Sequence, residues 1–336
     1  MKIFELRAFN IESLICGERP APTPGPGEVA IRMRAASVNY RDLALARGDY
    51  DPSLRLPIVP LSDGAGEVLA VGPGVTRAAV GDRVSANYIL DWTHGPPLAE
   101  TTARRLGGPL DGVLAEIVVV PEHAIVHIPP EIGDEEAATL PIAAVTAYRG
   151  LFTVARIRPG DVVVVEGTGG VSLFALQLAV AAGAQVVVVG SRPDKLARAR
   201  ALGAFATIDA GAEPAWHERV QVLTGGRGAD VVVEVVGGDN LARAAGALRV
   251  GGAILLVGFL RGYTASLDVR PLLRRQAAVH ALSVGSREDF EALVRAMVAT
   301  RLRPVIDRAL PFAEAPEALA YLARGEHFGK VVIRFP

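Results

Sequence analysis

The sequence has almost no cysteine and very little lysine. Cys16 is the single cysteine among 336 residues, which excludes a disulfide within the chain and a cysteine-rich metal site. A lone thiol is typical of a reducing compartment, so we expect a cytoplasmic protein with Cys16 buried as a small apolar residue. The three lysines, Lys2, Lys195 and Lys330, stand among 35 basic and 36 acidic residues with a net charge of −1. Since no basic cluster is present, the sequence predicts no nucleic-acid partner.

The sequence also lacks an apolar leader and an uninterrupted membrane-spanning run. Its most apolar stretch, 173–189, is interrupted by Gln177, Gly183 and Gln185 where a helix should give way to a strand. We therefore expect no secretory signal and no membrane partner. Hydrophobic residues make up 50% of the 336 residues, which favours two domains with separate buried cores.

The stretch 158–192 has the pattern of a nucleotide-binding unit. A β-branched strand at 162–165 is followed by the turn Gly167-Thr168-Gly169-Gly170, a helix at 171–182 and a second buried strand at 185–189. Glycines let the backbone approach a pyrophosphate, and free N–H groups near Val171 at the helix start would face the anion. Ser172 replaces the last glycine of the usual fingerprint. A methyltransferase or a plain glycine-rich turn could show the same pattern, so these alternatives stay open here.

The first 125 residues and the following part of the chain differ in texture. Proline and glycine separate short apolar segments at 28–38, 66–71, 80–84 and 113–120, with one helix at 41–47, which predicts a β-barrel-like domain. After a helix at 135–152, strands alternate with helices. The six predicted strands are 162–165, 185–189, 205–209, 230–236, 253–257 and 279–281. Such alternation predicts a doubly wound parallel sheet.

Two further segments complete the prediction. The polar insertion 91–112 is long for a compact domain, and either a functional lid or a disordered surface loop would explain it. The C-terminal part contains helices at 289–300 and 315–323 and a last strand at 330–335. We expect this last strand to return to the first domain.

Six segments follow one another along the chain: SVNYRD at 37–42, DGAGEV at 63–68, VGDRV at 80–84, GVLAE at 112–116, the glycine-rich turn and FGKVV at 328–332. Together they resemble the medium-chain dehydrogenase/reductase superfamily, in its zinc-independent, quinone-oxidoreductase-like branch. The resemblance implies an α/β fold with a GroES-like β-barrel substrate domain (1–125 and 284–336) and a Rossmann dinucleotide-binding domain with a doubly wound parallel sheet (126–283). It also implies hydride transfer with a nicotinamide cofactor.

The resemblance implies that no metal is bound. Zinc-containing members place three ligands where this chain has Asn39, Ser62 and Ile142, and these side chains cannot supply a tetrahedral zinc site. Without a metal, a reacting carbonyl needs hydrogen-bond donors aimed at the developing oxyanion. The resemblance places Asn39, Tyr40 and Ser62 at substrate-facing positions, with Tyr40 either a proton donor or an aromatic group packed on the cofactor. Asp63 matches an acidic residue near the metal of zinc members, or serves the turn into Gly64.

The resemblance also implies the cofactor contacts. Besides the glycine-rich turn with Val171, they include Thr146, the strand-end residues Val236, Gly258 and Phe259, then Ser283, Val284 and Phe328, and Lys330 near the pyrophosphate. The second strand ends without the acid that binds a ribose 2′-hydroxyl in NAD-specific sites. Ser191, Arg192 and Lys195 offer donors and charge to a 2′-phosphate instead. The sequence thus predicts NADPH, with NADH bound more weakly, unless Ser191 only caps the next helix and Arg192 points into solvent.

The leading hypothesis is an NADPH-dependent, metal-free reductase of quinones or other conjugated carbonyl compounds, with a small-molecule substrate. An alcohol or aldehyde dehydrogenase of the same fold is the alternative within the class. A non-catalytic NADPH-binding protein is the alternative outside it. Because the strand at 279–281 would lie at an apolar sheet edge, we also expect a homodimer.

Overall fold

The structure, a computed structural model, describes all residues from Met1 to Pro336 and divides into two compact units. The first unit comprises Met1–Val145 and Val284–Pro336, and the second comprises Thr146–Ser283. The second boundary agrees with the predicted domain limits. The first boundary follows Val145 rather than residue 125, because the strand at 125–127 pairs within the first unit and Ile142 donates a hydrogen bond there.

The N-terminal part of the first unit contains seven strands and two short helices. They are β1 (Lys2–Leu6), β2 (Leu14–Glu18), β3 (Glu28–Val38), α1 (Tyr40–Ala46), β4 (Asp63–Val71), β5 (Arg83–Ala86), β6 (Ile117–Pro121), β7 (Ile125–His127) and α2 (Asp134–Ala138). One-turn 3₁₀ helices lie at Ile11–Ser13 and Glu122–Ala124. The strand β3 matches its predicted limits, whereas β5 and β6 begin later than predicted because turns occupy the positions before them.

The second unit alternates strands and helices. It contains most of α3 (Val145–Tyr148), then β8 (Val162–Glu166), α4 (Gly170–Ala181), β9 (Gln185–Gly190), α5 (Pro193–Ala201), β10 (Ala206–Asp209), α6 (Trp216–Leu223), β11 (Ala229–Glu234), α7 (Asn240–Ala247), β12 (Leu248–Leu256), α8 (Arg270–Arg275) and β13 (Ala278–Ala281). No helix in the protein is long and apolar enough to cross a bilayer.

The C-terminal segment completes the first unit. It contains α9 (Arg287–Thr300), β14 (Ile306–Pro311), a 3₁₀ turn at Phe312–Glu314, α10 (Ala315–Ala323) and β15 (Lys330–Arg334). As predicted, β15 returns to the N-terminal sheet, where Val331 lies opposite Val38 of β3. The sheet runs β14-β15-β3-β4-β5-β7, and β6 pairs with the other end of β3. The long strand β3 is therefore the framework on which both ends of the chain are assembled.

The six strands of the second unit form one sheet in the order β10-β9-β8-β11-β12-β13, all parallel. This order reverses direction between β8 and β11, as in a doubly wound nucleotide-binding sheet. Val163, Val164 and Val165 of β8 are fully buried because helices cover both faces. In such sheets ligands bind at the carboxyl ends of the strands beside the reversal, here after Glu166 and Glu234.

The helix predicted at 135–152 is not continuous. A π-helical segment, Leu140–Ala144, separates α2 from α3, and a second one, Arg149–Val154, follows α3. Pro141 has no N–H to give to the helix, and the N–H of Ile142 is turned outward to donate to a side chain of the first unit. Helical periodicity in the sequence gave no sign of this tertiary contact.

Two further expectations change in the structure. Cys16 is exposed, not buried, because β2 pairs only with β1 and Leu14 is its one buried residue. The insertion 91–112 is packed at both ends, with Trp92 and Leu106 buried. The guanidinium group of Arg41 donates hydrogen bonds to the carbonyl oxygens of Leu106, Gly107 and Gly108. These contacts tie the insertion to the helix α1.

The outer strand β13 leaves an apolar edge on the second unit. Val279 in this strand and the nearby Val269 and Leu273 are exposed. An unpaired strand edge with apolar side chains favours pairing with another chain. We therefore propose that two copies of the protein pair along β13 around a two-fold axis.

The proposed pairing predicts a dimer in solution at micromolar concentration. Val279→Glu places a charge on the edge strand and should shift the mass measured by light scattering toward the monomer. Val222→Glu, at an exposed position of α6 near the opposite edge, is the matched control and should remain dimeric. A monomeric wild-type protein would contradict the proposal.

Candidate functional site

Asn39 lies at the junction between the longest strand and the first helix. It follows Val38 at the end of β3 and is the N-cap of α1, and its backbone N–H donates to Asp42 Oδ2 at 2.9 Å. Lys330, the first residue of the neighbouring strand β15, donates from Nζ to Asn39 Oδ1 at 2.5 Å and to the Val38 carbonyl oxygen at 3.0 Å. The β3–β15 pairing thus brings residues from the two ends of the chain together.

The contact with Lys330 fixes the orientation of the Asn39 amide. An ammonium group only donates, so the atom that faces it must be the carbonyl oxygen, and Nδ2 points the other way. Asn39 is 8% exposed, and its Nδ2 has no hydrogen-bond partner. Burial raises the pKa of Asp63, and the nearby Asn39 amide is one of the groups that oppose this rise. The site therefore holds a buried amide whose oxygen is fixed by Lys330 and whose Nδ2 is enclosed by the protein near the Asp63 carboxylate.

Asp63 is the centre of the same cluster. Its Oδ1 accepts from Ser62 Oγ at 3.0 Å, its Oδ2 accepts from the Ile142 N–H at 3.1 Å, and Lys330 Nζ lies 4.0 Å from Oδ2. Burial raises the pKa of Asp63, and the Lys330 ammonium opposes that rise. Burial lowers the pKa of Lys330, while the carboxylates of Asp63 and Asp42 oppose that change. The two buried groups compensate each other, which is the condition for keeping charges in an interior.

The three residues that the family resemblance places at zinc-ligand positions surround this carboxylate. Asn39 reaches it through Lys330, Ser62 donates to it from Oγ, and Ile142 donates to it from the backbone. Their side chains offer an amide, a hydroxyl already committed to Asp63 and an alkyl group, which do not form a zinc ligand set. No group of three or more His, Cys, Asp or Glu side chains in the protein could hold a metal ion.

The other predicted substrate-facing residues differ in environment. Ser62 is 1% exposed, and its proton is committed to Asp63, so it positions that carboxylate. Tyr40 begins α1 directly after Asn39, is half-buried and packs against the barrel core. Burial also raises the pKa of Asp42 to about 6, with the Arg41 guanidinium opposing the rise. Asn39 and Tyr40 therefore stand together at the helix start, above a buried layer of charged groups.

In the second unit the glycine-rich turn has the expected geometry. Gly167 follows β8 with a φ of 74°, a conformation that favours glycine, and Gly169 caps the start of α4. Ser172, which replaces the fingerprint glycine, donates from Oγ to the Glu166 carbonyl oxygen at 2.7 Å. The serine thus ties the first turn of the helix to the strand end. Thr168, Gly170 and Val171 complete the turn, and all three are partly exposed.

The loops after β11 and β12 approach each other closely. A Cβ at Gly258 would lie 2.0 Å from the carbonyl oxygen of Val235, so only glycine fits there. The Gly258 N–H and the Val257 N–H both point to the Glu234 carbonyl oxygen. Phe259 stacks on Tyr263 with ring centroids 4.8 Å apart. Glycine at 258 therefore lets the loops after β11 and β12 pack closely at the carboxyl edge of the sheet, where dinucleotides bind in doubly wound folds.

The end of β9 presents the residues predicted to select the cofactor. Ser191 and Arg192 are exposed, and Arg192 Nε lies 3.3 Å from Asp194 Oδ1. The N-cap of α5 is Arg192, without a side-chain hydrogen bond, so the alternative in which Ser191 caps this helix is not observed. Lys195 is buried in the first turns of α5.

The remaining predicted cofactor contacts lie at several places. Thr146 is buried in the helical segment that begins the second unit, and Val236 is partly buried after β11. Ser283 ends the second unit, and Val284 begins the C-terminal segment with a φ of 56°. A β-branched residue in this region is strained, which marks a constrained position. Phe328 is buried beside the strand that begins with Lys330.

The sequence alone missed two buried contacts. The first is the bond from Lys330 to Asn39, since Lys330 was expected near the pyrophosphate. The second is a pair of glutamates, Glu166 and Glu234, at the ends of β8 and β11. A usable signal existed in both cases, namely a charged residue that directly adjoins a run of buried β-branched residues. Such a residue must find a partner in the interior.

Comparison with known proteins gives the family. Residues 25–130 match the profile of the alcohol dehydrogenase GroES-like domain, and residues 170–299 match that of the zinc-binding dehydrogenases. A zinc-type alcohol dehydrogenase-like protein of Schizosaccharomyces pombe is 41% identical over 315 residues, which cover 92% of this chain and 91% of that protein.

Solved structures agree over the whole chain. A crystal structure of an alcohol dehydrogenase from Sinorhizobium meliloti 1021, described as putative, is 43% identical with a TM-score of 0.93 and covers 99% of this chain and 98% of its own. An NAD-dependent alcohol dehydrogenase is 35% identical with a TM-score of 0.92, and 99% of each chain is covered.

More distant structures include a mycobacterial protein complexed with NADPH and a quinone oxidoreductase of Pseudomonas syringae. They are 28% and 26% identical, with TM-scores of 0.83 and 0.84, and each covers 99% of both chains. These structures support a nicotinamide cofactor. The GroES-like unit, the parallel sheet with its glycine-rich turn and these matches establish that the chain is an alcohol dehydrogenase-like oxidoreductase of the medium-chain dehydrogenase/reductase superfamily.

Proposed function

We propose that the protein is a zinc-independent, NADPH-dependent reductase of quinones or other conjugated carbonyl compounds. The observation that carries the proposal is the buried amide of Asn39, which Lys330 orients at a position where zinc-containing relatives have a metal ligand. The Ser62 and Ile142 positions likewise offer no ligand and instead hold Asp63. A carbonyl oxygen at this site would meet a hydrogen-bond donor rather than a metal ion.

The chain's own residues suit such a reduction. Bound NADPH supplies a hydride. Asn39 Nδ2 would donate to the carbonyl oxygen and stabilise negative charge that develops on it when hydride reaches the β-carbon of an enone. Tyr40, the next residue, would give a proton to the resulting enolate, directly or through water. Because neither group is a strong acid, orientation of the reactants supplies most of the catalysis.

The cofactor would bind along the carboxyl edge of the parallel sheet. The turn from Gly167 to Gly170 and the start of α4 would hold the pyrophosphate. Arg192 and Ser191 would bind the 2′-phosphate, since no acidic residue ends β9. The ion pair of Arg192 with Asp194 is exposed and therefore weak enough to open for a phosphate.

A second candidate function is oxidation of an alcohol or reduction of an aldehyde. Similarity to the zinc-type alcohol dehydrogenase-like protein of Schizosaccharomyces pombe and to the alcohol dehydrogenase of Sinorhizobium meliloti favours it. In those reactions a single carbonyl or alcohol group reacts, and the proton moves to or from oxygen. The oriented amide is compatible with this chemistry but provides no group for removing an alcohol proton.

The first prediction separates these two functions. The purified protein should oxidise NADPH with quinones and enones at a kcat/KM well above that for saturated aldehydes of similar size. It should oxidise the matching alcohols poorly with NADP⁺. Steady-state rates across such a matched panel provide the test. A preference for alcohols and saturated aldehydes would replace the proposal by the second candidate.

The second prediction concerns Asn39. Asn39→Ala removes the oriented donor and should lower kcat by about 10²–10³-fold, with a much smaller change in the Kd of NADPH. Lys330→Met, which frees the amide to rotate, should lower kcat in the same direction. Asn10→Ala, on the surface of the same unit, is the control. An unchanged kcat in Asn39→Ala would remove this residue from the mechanism.

The third prediction concerns the choice of cofactor. The wild type should favour NADPH over NADH in kcat/KM, and Arg192→Ala should reduce that preference by about ten- to hundredfold through loss of charge-assisted hydrogen bonds. Arg219→Ala, another exposed arginine of the second unit, should leave the ratio unchanged. A wild type that favours NADH, or an Arg192→Ala variant with an unmoved ratio, would show that Arg192 does not bind the 2′-phosphate.

A further inference from the structure

Two glutamates end neighbouring strands of the parallel sheet. Glu166 is the last residue of β8, and Glu234 is the last residue of β11. The two strands pair with Val165 opposite Val233, so the next residue on each strand stands at the same level. Glu166 is 2% exposed and Glu234 is 0% exposed. Two carboxyl groups are thus held side by side in the interior, directly before the loops expected to contact the dinucleotide.

One amide joins the two carboxyl groups. Asn240 of α7 donates from Nδ2 to Glu166 Oε2 at 2.8 Å and to Glu234 Oε1 at 3.1 Å. The same Glu234 oxygen accepts the N–H groups of Val236 at 2.9 Å and Gly237 at 2.8 Å. The remaining oxygens, Glu166 Oε1 and Glu234 Oε2, are buried without a hydrogen-bond partner. One proton held between these two oxygens would satisfy both, as the donor of one and the acceptor of the other.

The charges around the pair favour one bound proton. Burial and repulsion by Glu234 raise the pKa of Glu166 well above its ordinary value, and among the groups that shift it most only Glu234 is charged. The Asn240 amide opposes the rise but carries no charge. From α4, Ser172 bonds the Glu166 carbonyl oxygen, and from α6, Trp216 donates to Asn240. Two adjacent buried carboxyl groups without a cation do not both ionise near neutral pH.

We propose that Glu166 and Glu234 share one proton and act together as the positioning residues of the dinucleotide-binding loops. The protonated carboxyl of Glu166 donates to Glu234, whose Oε1 then holds the N–H groups of Val236 and Gly237 in the loop after β11. Ser172 and Val257 donate to the main-chain carbonyl oxygens of Glu166 and Glu234, so the same two residues also contact α4 and the loop after β12. The proposal rests on nicotinamide-dinucleotide binding and not on the choice of carbonyl substrate.

The pair gives stability and cofactor binding a defined pH dependence. The folded pKa of Glu166 lies above that of a glutamate in the unfolded chain, so the stabilisation is complete below the unfolded pKa and is lost as pH rises through the folded pKa. Above that point two repelling charges lie beneath the loops. If only the singly protonated pair binds well, the Kd of the dinucleotide rises about tenfold for each further pH unit.

Glu166→Gln tests the proposal, because the glutamine amide can donate to Glu234 Oε2 and has no proton to lose in this range. For each protein, Tm and the Kd of NADPH and of NADH are measured between about pH 6.5 and about pH 10. We expect the ratio of alkaline to neutral Kd to be at least about tenfold larger in the wild type than in Glu166→Gln. Glu213→Gln, an exposed glutamate of the same unit, should keep the wild-type profile. Identical profiles in wild type and Glu166→Gln would overturn the proposal.

A second variant and a spectroscopic measurement cover a failure of Glu166→Gln to fold. Glu234→Gln should flatten the same profiles, because its amide can donate to Glu166 Oε1. In the wild type, the infrared spectrum at about pH 8, where ordinary carboxyl groups are ionised, should retain a protonated-carboxyl band. The band should survive in Asp63→Asn, which removes another buried acid with a raised pKa. Absence of the band overturns the proposal, and neither thermal nor infrared data depend on the carbonyl substrate.

Discussion

A buried ammonium group organises the first unit. Lys330 lies 3% exposed between Asn39 and Asp63, at the point where the last strand of the chain joins the long strand β3. Its positive charge compensates the buried Asp63 carboxylate. Because an ammonium group can only donate, the Asn39 carbonyl oxygen must face it. The orientation of Asn39 Nδ2 follows from that one contact. A fixed cation and an oriented amide thus lie at the position that the family resemblance assigns to the metal centre of zinc-containing members.

In the second unit, a few buried polar groups likewise hold the neighbouring loops in place. Parallel pairing places the ends of β8 and β11 at one level, and the loops that follow must turn sharply within a few residues. Side-chain oxygens of Glu234 and main-chain oxygens of Glu166 and Glu234 satisfy the N–H and O–H groups of these loops. The edge proposed to bind the cofactor therefore has a polar interior support directly below it, at the ends of two central strands, β8 and β11, that are otherwise mostly valine.

Much of the fold could be predicted because local patterns decide it. The limits of β3 and α10 match the predicted ones, and the alternation of strands and helices predicted the doubly wound parallel sheet. The rest depends on distant contacts. The predicted helix is interrupted at Pro141, and the Ile142 N–H donates to Asp63 instead of to the helix. Lys330 donates to Asn39, which lies near the other end of the chain. Local sequence propensities do not encode contacts between residues far apart in the chain. The sequence therefore identifies the candidate residues but not their partners.

The central claim is that this site works without zinc. The measurement that tests it most directly is the zinc content of the purified protein by elemental analysis, with the rate of NADPH-dependent reduction before and after chelation. We expect no stoichiometric zinc and an unchanged rate, because Asn39, Ser62 and Ile142 offer no ligand set. One zinc ion per chain, lost together with activity on chelation, would contradict the account.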